Sequence, residues 1–422
     1  MVRVTDHSRH SQGGSLPFEP RTHDGPGPLD RAAFHLLAKL AGRIIREGRL
    51  ELELRHGPRV ELGNRRGRLH RIRFESVGGM LRTLRNTELT LGEAYMNGDW
   101  TADTSSLASL LGLLLDNERR HGERPLVRRL GRIRDALFRP HRLIPAASSR
   151  RNASHHYDLG NDLYQSFLDE EMNYSCAFFA RDTDTLEQAQ RNKVETTLER
   201  VDLQPGMTLL DIGCGWGAVT RAAARRGAAR ATGITLADQQ AALAARRIPP
   251  DLAGRVEYRL QDYRDHAAEH PDHYDRIVSI GMFEHVGQRH FSEYFQTIER
   301  MLKPGGRAVV HSIIRWTHGP TNAWIDRYIF PDGYIPWLAD MTAAARAAGL
   351  ALATDPFVHE GTNYARTLAF WRDRFNANYG QLDRLRYDER FRRMWNFYLA
   401  GSQAAFEALG MGVAQIAVTK PA

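Results

Sequence analysis

Leu209-Leu210-Asp211-Ile212-Gly213-Cys214-Gly215-Trp216-Gly217 decides how the rest of this chain is read. An apolar run closes on an acid, glycines then alternate, and an Ala-rich helical segment follows. Glycine at 213, 215 and 217 lets the backbone turn sharply and approach a ligand closely. The N-terminus of the following helix would point its partial positive charge at that ligand. Such a turn suits an adenosine-type cofactor. Alone it does not say which one, and a purely structural turn would read the same way.

Outward from the turn, strands and helices alternate. The apolar pattern predicts strands at 208–212, 231–235, 255–260, 274–280 and 306–313, and helices at 217–226, 238–247 and 290–302. That alternation implies an α/β domain whose mostly parallel sheet is covered on both faces. Lys303-Pro304-Gly305-Gly306 is expected to stop the last helix and turn the chain into the next strand. A long helix is predicted at 185–201. A helix at 341–348, a strand within 351–359, a helical tail and a strand at 413–418 complete the domain.

The N-terminal third reads differently. Residues 1–28 are polar, with scattered Gly, Pro, His and Arg, and are expected to form a disordered leader. At 29–47 helical periodicity would put Phe34, Leu37, Leu40, Ile44 and Ile45 on one face. Short alternating segments at 50–54, 60–62 and 69–74 are separated by Gly57-Pro58, Gly63-Asn64 and Gly67, which read as turns. A helix through 91–97 should end at Gly98, and 107–115 should form another. Residues 126–138 place Leu126, Leu130, Ile133 and Leu137 on one face, with Arg124, Arg128, Arg129, Arg132, Arg134, Arg139 and Arg142 crowding the remainder. A basic amphipathic helix can lie on anionic lipid, and Arg119 and Arg120 would extend the patch. A helix packed between domains with solvated arginines would carry the same pattern. Pro140, Pro145 and Ser148-Ser149 mark a linker. The expected division is a leader at 1–28, a small α+β domain at 29–145 and a larger domain at 146–422.

Composition agrees with two packed domains: 422 residues, 42% of them hydrophobic. Lys plus Arg is 58 and Asp plus Glu is 50, so 58 − 50 gives a net charge of +8, mostly from arginine. That balance suits an acidic partner, either nucleic acid or an anionic membrane face. The two cysteines, Cys176 and Cys214, cannot build a disulfide framework or a zinc cluster, so no metal is expected and a reducing compartment fits. No run approaches the roughly 20 apolar residues that span a bilayer.

The segments beyond the glycines narrow the cofactor. A nicotinamide dinucleotide site wants GxGxxG and an acid roughly 20 residues on. Here the glycines fall at 213, 215 and 217, and the second strand ends Gly233-Ile234-Thr235-Leu236 without an acid. Asp211 before the glycines and Gln261-Asp262-Tyr263 after the third strand suit an adenosine bearing a charged amino acid, S-adenosyl-L-methionine.

Taken in order, Tyr174-Ser175-Cys176-Ala177, 211–217, 233–236 with Gln240, Gln261-Asp262-Tyr263-Arg264, Met282-Phe283-Glu284-His285-Val286-Gly287, His311-Ser312-Ile313 and Asn363-Tyr364-Ala365-Arg366-Thr367-Leu368 resemble the cyclopropane-fatty-acyl-phospholipid synthase family, which includes the mycolic acid cyclopropane synthases. The match runs from about Asn152 to the C-terminus. LGEAYMNGDW at 91–100 resembles the extra N-terminal domain of the bacterial phospholipid-acting members. The resemblance implies a doubly wound, mostly parallel, seven-stranded class I methyltransferase sheet of Rossmann-like form. It implies cofactor contacts from Tyr174, Ser175, Asp211, Gly213, Cys214, Gly215, Trp216, Gly217, Thr235, Leu236, Gln240, Asp262 and Tyr263. One departure is Ala237, where the family more often has serine.

The resemblance further implies a bound bicarbonate, held by side chains of Glu284, His311 and Tyr364 and mainly by backbone N–H groups of Cys176 and Ile313. The expected reaction adds a methylene from the cofactor across a cis double bond of a phospholipid acyl chain. A methyl- or methylene-branched product is the nearest alternative. Methylation of RNA or a small soluble acceptor is a further one, although no RNA-binding module or interleaved basic and aromatic stripe is present. A dead fold that only binds membrane is disfavoured by the intact glycine turn with Glu284, His311 and Tyr364. Implied partners are the unsaturated phospholipid and an anionic membrane surface, with no nucleic acid. A homodimer through the N-terminal domain, and a cytoplasmic location at the inner face of the membrane, follow from the same resemblance.

Overall fold

The computed structural model describes residues 25–121, 159–316 and 318–422. Most of the expected leader, the arginine-rich segment 124–142 and the proposed boundary at 145/146 lie outside those residues.

The N-terminal elements form a four-stranded sheet backed by helices. They run α1 (Pro28–Ala41), β1 (Arg49–Leu54), β2 (Arg59–Leu62), β3 (Leu69–Phe74), α2 (Val77–Arg85), α3 (Thr87–Asn97), β4 (Trp100–Thr101) and α4 (Leu107–His121), with strand order β2-β1-β3-β4. Strict alternation in β3 buries His70, Ile72 and Phe74 and exposes their neighbours. Gly98 ends α3 in the left-handed region at φ 79°, as its position after the periodic run predicts. The first helix is shorter than expected. It stops at Ala41, so Phe34 and Ala38 are buried while Leu40 and Ile44 stay exposed and Ile45 enters the core from the following turn. Gly42, with no side chain to hold the helix, is the break.

The larger unit continues with α5 (Asn161–Gln165), α6 (Leu186–Arg200), β5 (Thr208–Ile212), α7 (Ala218–Arg225), β6 (Arg230–Thr235), α8 (Asp238–Arg246), β7 (Val256–Leu260), α9 (Tyr263–Glu269), β8 (Tyr274–Ile280), α10 (Phe291–Met301) and β9 (Leu302–Ile314). It closes with α11 (Ala323–Tyr328), α12 (Leu338–Ala347), β10 (Ala351–Leu352), β11 (Phe357–Glu360), α13 (Thr362–Asn378), α14 (Glu389–Ala408) and β12 (Gly412–Thr419). The sheet order is β10-β12-β9-β8-β5-β6-β7, and β5 through β9 are parallel. β12 enters antiparallel beside β9. The sheet has eight strands rather than seven, because the edge strand on β12 is split: β10 pairs at Val418–Thr419 and β11 at 412–415. Pro356, lacking an N–H, lies in the gap between them.

β5 is buried along nearly its whole length, as a strand covered on both faces must be. The expected helix stop falls at Met301, and β9 begins at Leu302, earlier than the predicted 306. The Lys303–Gly306 residues ride in a register irregularity against β8. Several contacts tie the small sheet to the large unit, among them the following. Ala400 and Ala404 of α14 join the N-terminal core. Trp324 of α11 lies over Gly92 of α3, where a Cβ would come within 2.5 Å of the indole Nε1.

Candidate active site

A cleft opens at the carboxyl ends of β5, β6, β7 and β8, beside the point where strand order reverses between β5 and β8. This is where open α/β sheets bind ligands. Its floor is the glycine turn. Gly213, Gly215 and Gly217 all have positive φ, at 78°, 54° and 82°. Gly213 and Cys214 N–H both donate to the Ile234 carbonyl, at 2.9 and 3.0 Å, which clamps the turn onto β6. A Cβ at 217 would lie 2.1 Å from Tyr258 Oη, so only glycine lets that hydroxyl reach the Gly217 carbonyl. A Cβ at 215 would meet nothing and would stand in open space.

Twelve of the thirteen residues expected at the cofactor line this cleft; Gly217 lies behind it, where it starts α7. Asp211 is almost fully buried, and burial raises its carboxyl to about 6 despite a 2.9 Å bond from Thr220 Oγ1. Trp216 is fixed by a 2.8 Å bond from its Nε1 to Asn161 Oδ1. Thr235 Oγ1 donates to Gln240 Oε1 at 3.0 Å. Asp262 caps α9, and its two oxygens accept from Arg264 at 2.9 and 2.8 Å. Tyr174 pairs its hydroxyl with Tyr398 at 2.9 Å.

None of the five residues expected to hold bicarbonate lines the cleft itself. Glu284 and Ile313 meet directly, because Ile313 N–H donates to Glu284 Oε1 at 2.7 Å. That N–H was expected to face the anion; here the carboxylate takes it. Glu284 Oε2 is enclosed with no hydrogen-bond partner, and burial raises the carboxyl to about 7. His311 lies two residues before Ile313 on the same side of β9 and is 2% exposed. Burial, then His359 and Lys193, push its imidazole well down, so it is neutral. Cys176 adjoins Ser175 of the cleft, and its thiol is driven up by burial, which leaves it protonated and unreactive. Tyr364 stands on the first turn of α13, its ring 6.1 Å from Trp371, which in turn lies 5.1 Å from Tyr174. One apolar cluster contains Cys176 and packs Ile313 and Tyr364 against it. Of the aromatics near the expected site, Phe283 belongs to a separate core with Phe291, and Trp316 is 53% exposed.

Sequence reasoning missed the support beneath these groups. α6 projects Gln190 and Lys193 from one face. Gln190 Nε2 donates to the Ser175 carbonyl at 2.9 Å. Lys193 Nζ donates to Asn173 Oδ1 at 2.9 Å and Ser175 Oγ at 3.1 Å. Lys193 is buried, lines the cleft and is lowered to about 8 by desolvation, partly offset by Asp169, Asp211 and Cys176. A lysine and a glutamine three residues apart inside an otherwise apolar helix face were the available signal. Arg221, 1% exposed, holds the Trp216 carbonyl at 2.7 Å and ion-pairs with Glu171.

The open floor at Gly215, the clamped turn and the polar ring around it fit an adenosine-bearing methyl donor. The enclosed, unpartnered Glu284 Oε2 fits a hydroxyl-bearing anion. Among the described residues no cluster of His, Cys, Asp and Glu suits a metal ion.

Comparison with known proteins supports the methyl donor. The family profile described as mycolic acid cyclopropane synthetase matches residues 146–416. Cyclopropane-fatty-acyl-phospholipid synthase of Escherichia coli strain K12 is 35% identical over 355 residues, 83% of this chain and 87% of that one. Tuberculostearic acid methyltransferase UfaA1 of Mycobacterium tuberculosis is 35% identical over 411 residues, 90% of each. The solved cyclopropane synthase MmaA2 from Mycobacterium tuberculosis superposes with a TM-score of 0.60 at 31% identity, over 66% of this chain and 99% of that one. Mycolic acid cyclopropane synthase CmaA1, solved with SAH and CTAB, gives 0.59 at 32%, over 64% and 98%. With this match across most of its length, the chain belongs to the mycolic acid cyclopropane synthetase family and is an S-adenosylmethionine-dependent methyltransferase.

Proposed function

We propose that this enzyme converts a cis double bond in an unsaturated phospholipid acyl chain into a cyclopropane ring, with bicarbonate as the proton acceptor. The observation that carries the reading is Glu284: a carboxylate held by Ile313 N–H beside the cleft, with Oε2 enclosed and unpartnered. When bound, S-adenosylmethionine supplies an electrophilic methyl group and bicarbonate supplies a base. The residues of the 211–217 turn, Tyr174, Ser175, Thr235, Leu236, Gln240, Asp262 and Tyr263 hold the donor. Glu284, His311 and Tyr364 orient the anion, with Cys176 and Ile313 shaping its backbone surroundings.

An alkene is a weak nucleophile, so the protein must align it and exclude water. The apolar cluster that contains Cys176 and Trp371, with Tyr174 packed against it, is the dry wall of the site that supports this reading. Aromatic faces there stabilise positive charge developing on the lipid. Glu284, near neutrality at about 7, can hold a hydrogen bond as donor or acceptor while a proton leaves the new methyl group.

A bilayer substrate requires docking. The net charge of +8 and the arginines of 124–142 suit an anionic surface, and Arg119 and Arg120, which precede that segment on α4, pair with Asp116. Among the described residues no helix is long and apolar enough to cross a membrane. Peripheral attachment at the cytoplasmic face and pairing of two chains through the N-terminal sheet complete the proposal.

A second reading has specific support. A tuberculostearic acid methyltransferase matches over a larger share of this chain than the phospholipid synthase does, at the same identity. A methyl- or methylene-branched product is therefore the alternative outcome. Incubation with S-adenosylmethionine and vesicles of monounsaturated phospholipid tests both: a gain of one CH2 by mass is expected, and NMR of the product separates ring from branch. No gain on lipid would overturn the proposal.

A further inference from the structure

The last strand, β12, places Gln415 directly across from His311 in the β9 register. Gln415 is 1% exposed and has no part in the site as described above. Its Nε2 lies 3.2 Å from His311 Nδ1 and 2.9 Å from Thr197 Oγ1. Thr197, on α6, donates its hydroxyl hydrogen to the Lys193 carbonyl 2.8 Å away. Its oxygen is thereby left as an acceptor toward Gln415, so the amide turns its NH2 to both neighbours. One amide hydrogen goes to Thr197 and the other to His311. Gln415 Oε1 keeps no partner among the described residues. A donor facing Nδ1 requires that ring nitrogen to be bare. Lys193 and His359 also face His311, and both favour its uncharged form. The single ring proton is then on Nε2.

We infer that Gln415 is a positioning residue that fixes His311 as the Nε2–H tautomer, which makes the imidazole a hydrogen-bond donor to an oxyanion and bars it from accepting a proton at that nitrogen. The value of this to catalysis rests on the proposed anion site; the tautomer itself does not. It also assigns the base: with His311 restricted to donation, the proton acceptor must be the bound anion or Glu284. The coupling runs through three elements, from α6 by way of Thr197 to β12 and then β9. The methyl-donor cleft shares that helix, because Lys193 holds Ser175.

The test is nitrogen-15 NMR of histidine in the full-length chain, with His311 assigned by loss of its signals in His311→Asn. A protonated Nε2 and a bare Nδ1 are expected near neutral pH. In Gln415→Glu the carboxylate can only accept, so the proton should move to Nδ1 or occupy both nitrogens. Turnover should fall 10- to 100-fold, as when an oriented partner is removed behind a functional imidazole, with cofactor affinity unchanged. Thr197→Val removes the acceptor that orients the amide and should give mixed tautomers, which keeps the test decisive if the Glu variant does not fold. Finding Nδ1–H in the unsubstituted protein would overturn the assignment. An inverted tautomer in Gln415→Glu with turnover unchanged would leave the tautomer assignment standing and overturn the positioning role in catalysis. The expected tautomer in an enzyme that makes no lipid product would instead overturn the proposed function and leave the role of Gln415 standing.

Discussion

Replacing Glu284 by Gln separates the ionisation of this group from its shape. Its carboxyl is raised from 4.5 to about 7, chiefly by burial, with the Ile313 N–H bond opposing. A carboxyl with a higher value folded than unfolded binds its proton more tightly in the native state. Stability is therefore fully present below 4.5 and is lost as pH rises to about 7. Each unit is worth about 1.4 kcal/mol. Ionisation then costs the native state roughly 1 kcal/mol at pH 5 and roughly 3 kcal/mol at pH 8, a change of about 2 kcal/mol. Glu284 retains some surface even though Oε2 is enclosed, and that solvent trims the figure toward the lower end. Gln cannot ionise, and its amide oxygen can still accept from Ile313. In urea unfolding the stability of Glu284→Gln relative to the unsubstituted protein should rise by about 2 kcal/mol between pH 5 and pH 8. It should bind the methyl donor normally by calorimetry and lose turnover. A stability difference that is the same at both pH values would refute the buried, raised carboxyl. Loss of cofactor affinity would refute the placement of Glu284 outside the cleft.

Gly217→Ala drives a methyl group to within 2.1 Å of Tyr258 Oη and should destabilise the fold by about 3 kcal/mol or more, whereas Gly215→Ala meets nothing, loses only about 1–2 kcal/mol to its positive φ, and should instead weaken cofactor binding by calorimetry. Lys193→Met leaves Asn173 Oδ1 and Ser175 Oγ short of a donor, so cofactor affinity should fall at least ~10-fold. Because burial lowers Lys193 from 10.5 to about 8, the unsubstituted protein should also gain stability relative to that variant as pH rises from 8 to 10.5. Gly92→Ala must displace Trp324, and overpacking there should cost about 1–3 kcal/mol and loosen the N-terminal sheet, seen as faster limited proteolysis. Unaltered protease resistance would show that α3 and α11 are not held by that contact.

Local pattern made the site's first half legible. Parallel strands buried on both faces leave continuous apolar runs, and glycines with positive φ leave gaps no other residue tolerates, so the 208–217 unit announces both strand and turn. The same locality explains where the reading slipped. Periodicity carried α1 past Gly42, because a stripe of apolar residues does not reveal that the chain bends beneath it. The split between β10 and β11 shows only in their registers against β12, at 418–419 and at 412–415, which neither segment encodes alone.

By itself the sequence determined the alternating α/β order and the glycine turn, and the resemblance proposed the set Cys176, Glu284, His311, Ile313 and Tyr364. Only the tertiary structure decided how those five are supported. Glu284 takes the Ile313 N–H across 29 positions, Lys193 of α6 braces Ser175, and Gln415 reaches His311 across 104. Hydrogen bonds between residues so far apart in the chain leave no periodic trace. They arise when sheet register and helix packing bring the partners together, and burial then makes each bond, and each orphaned oxygen, count.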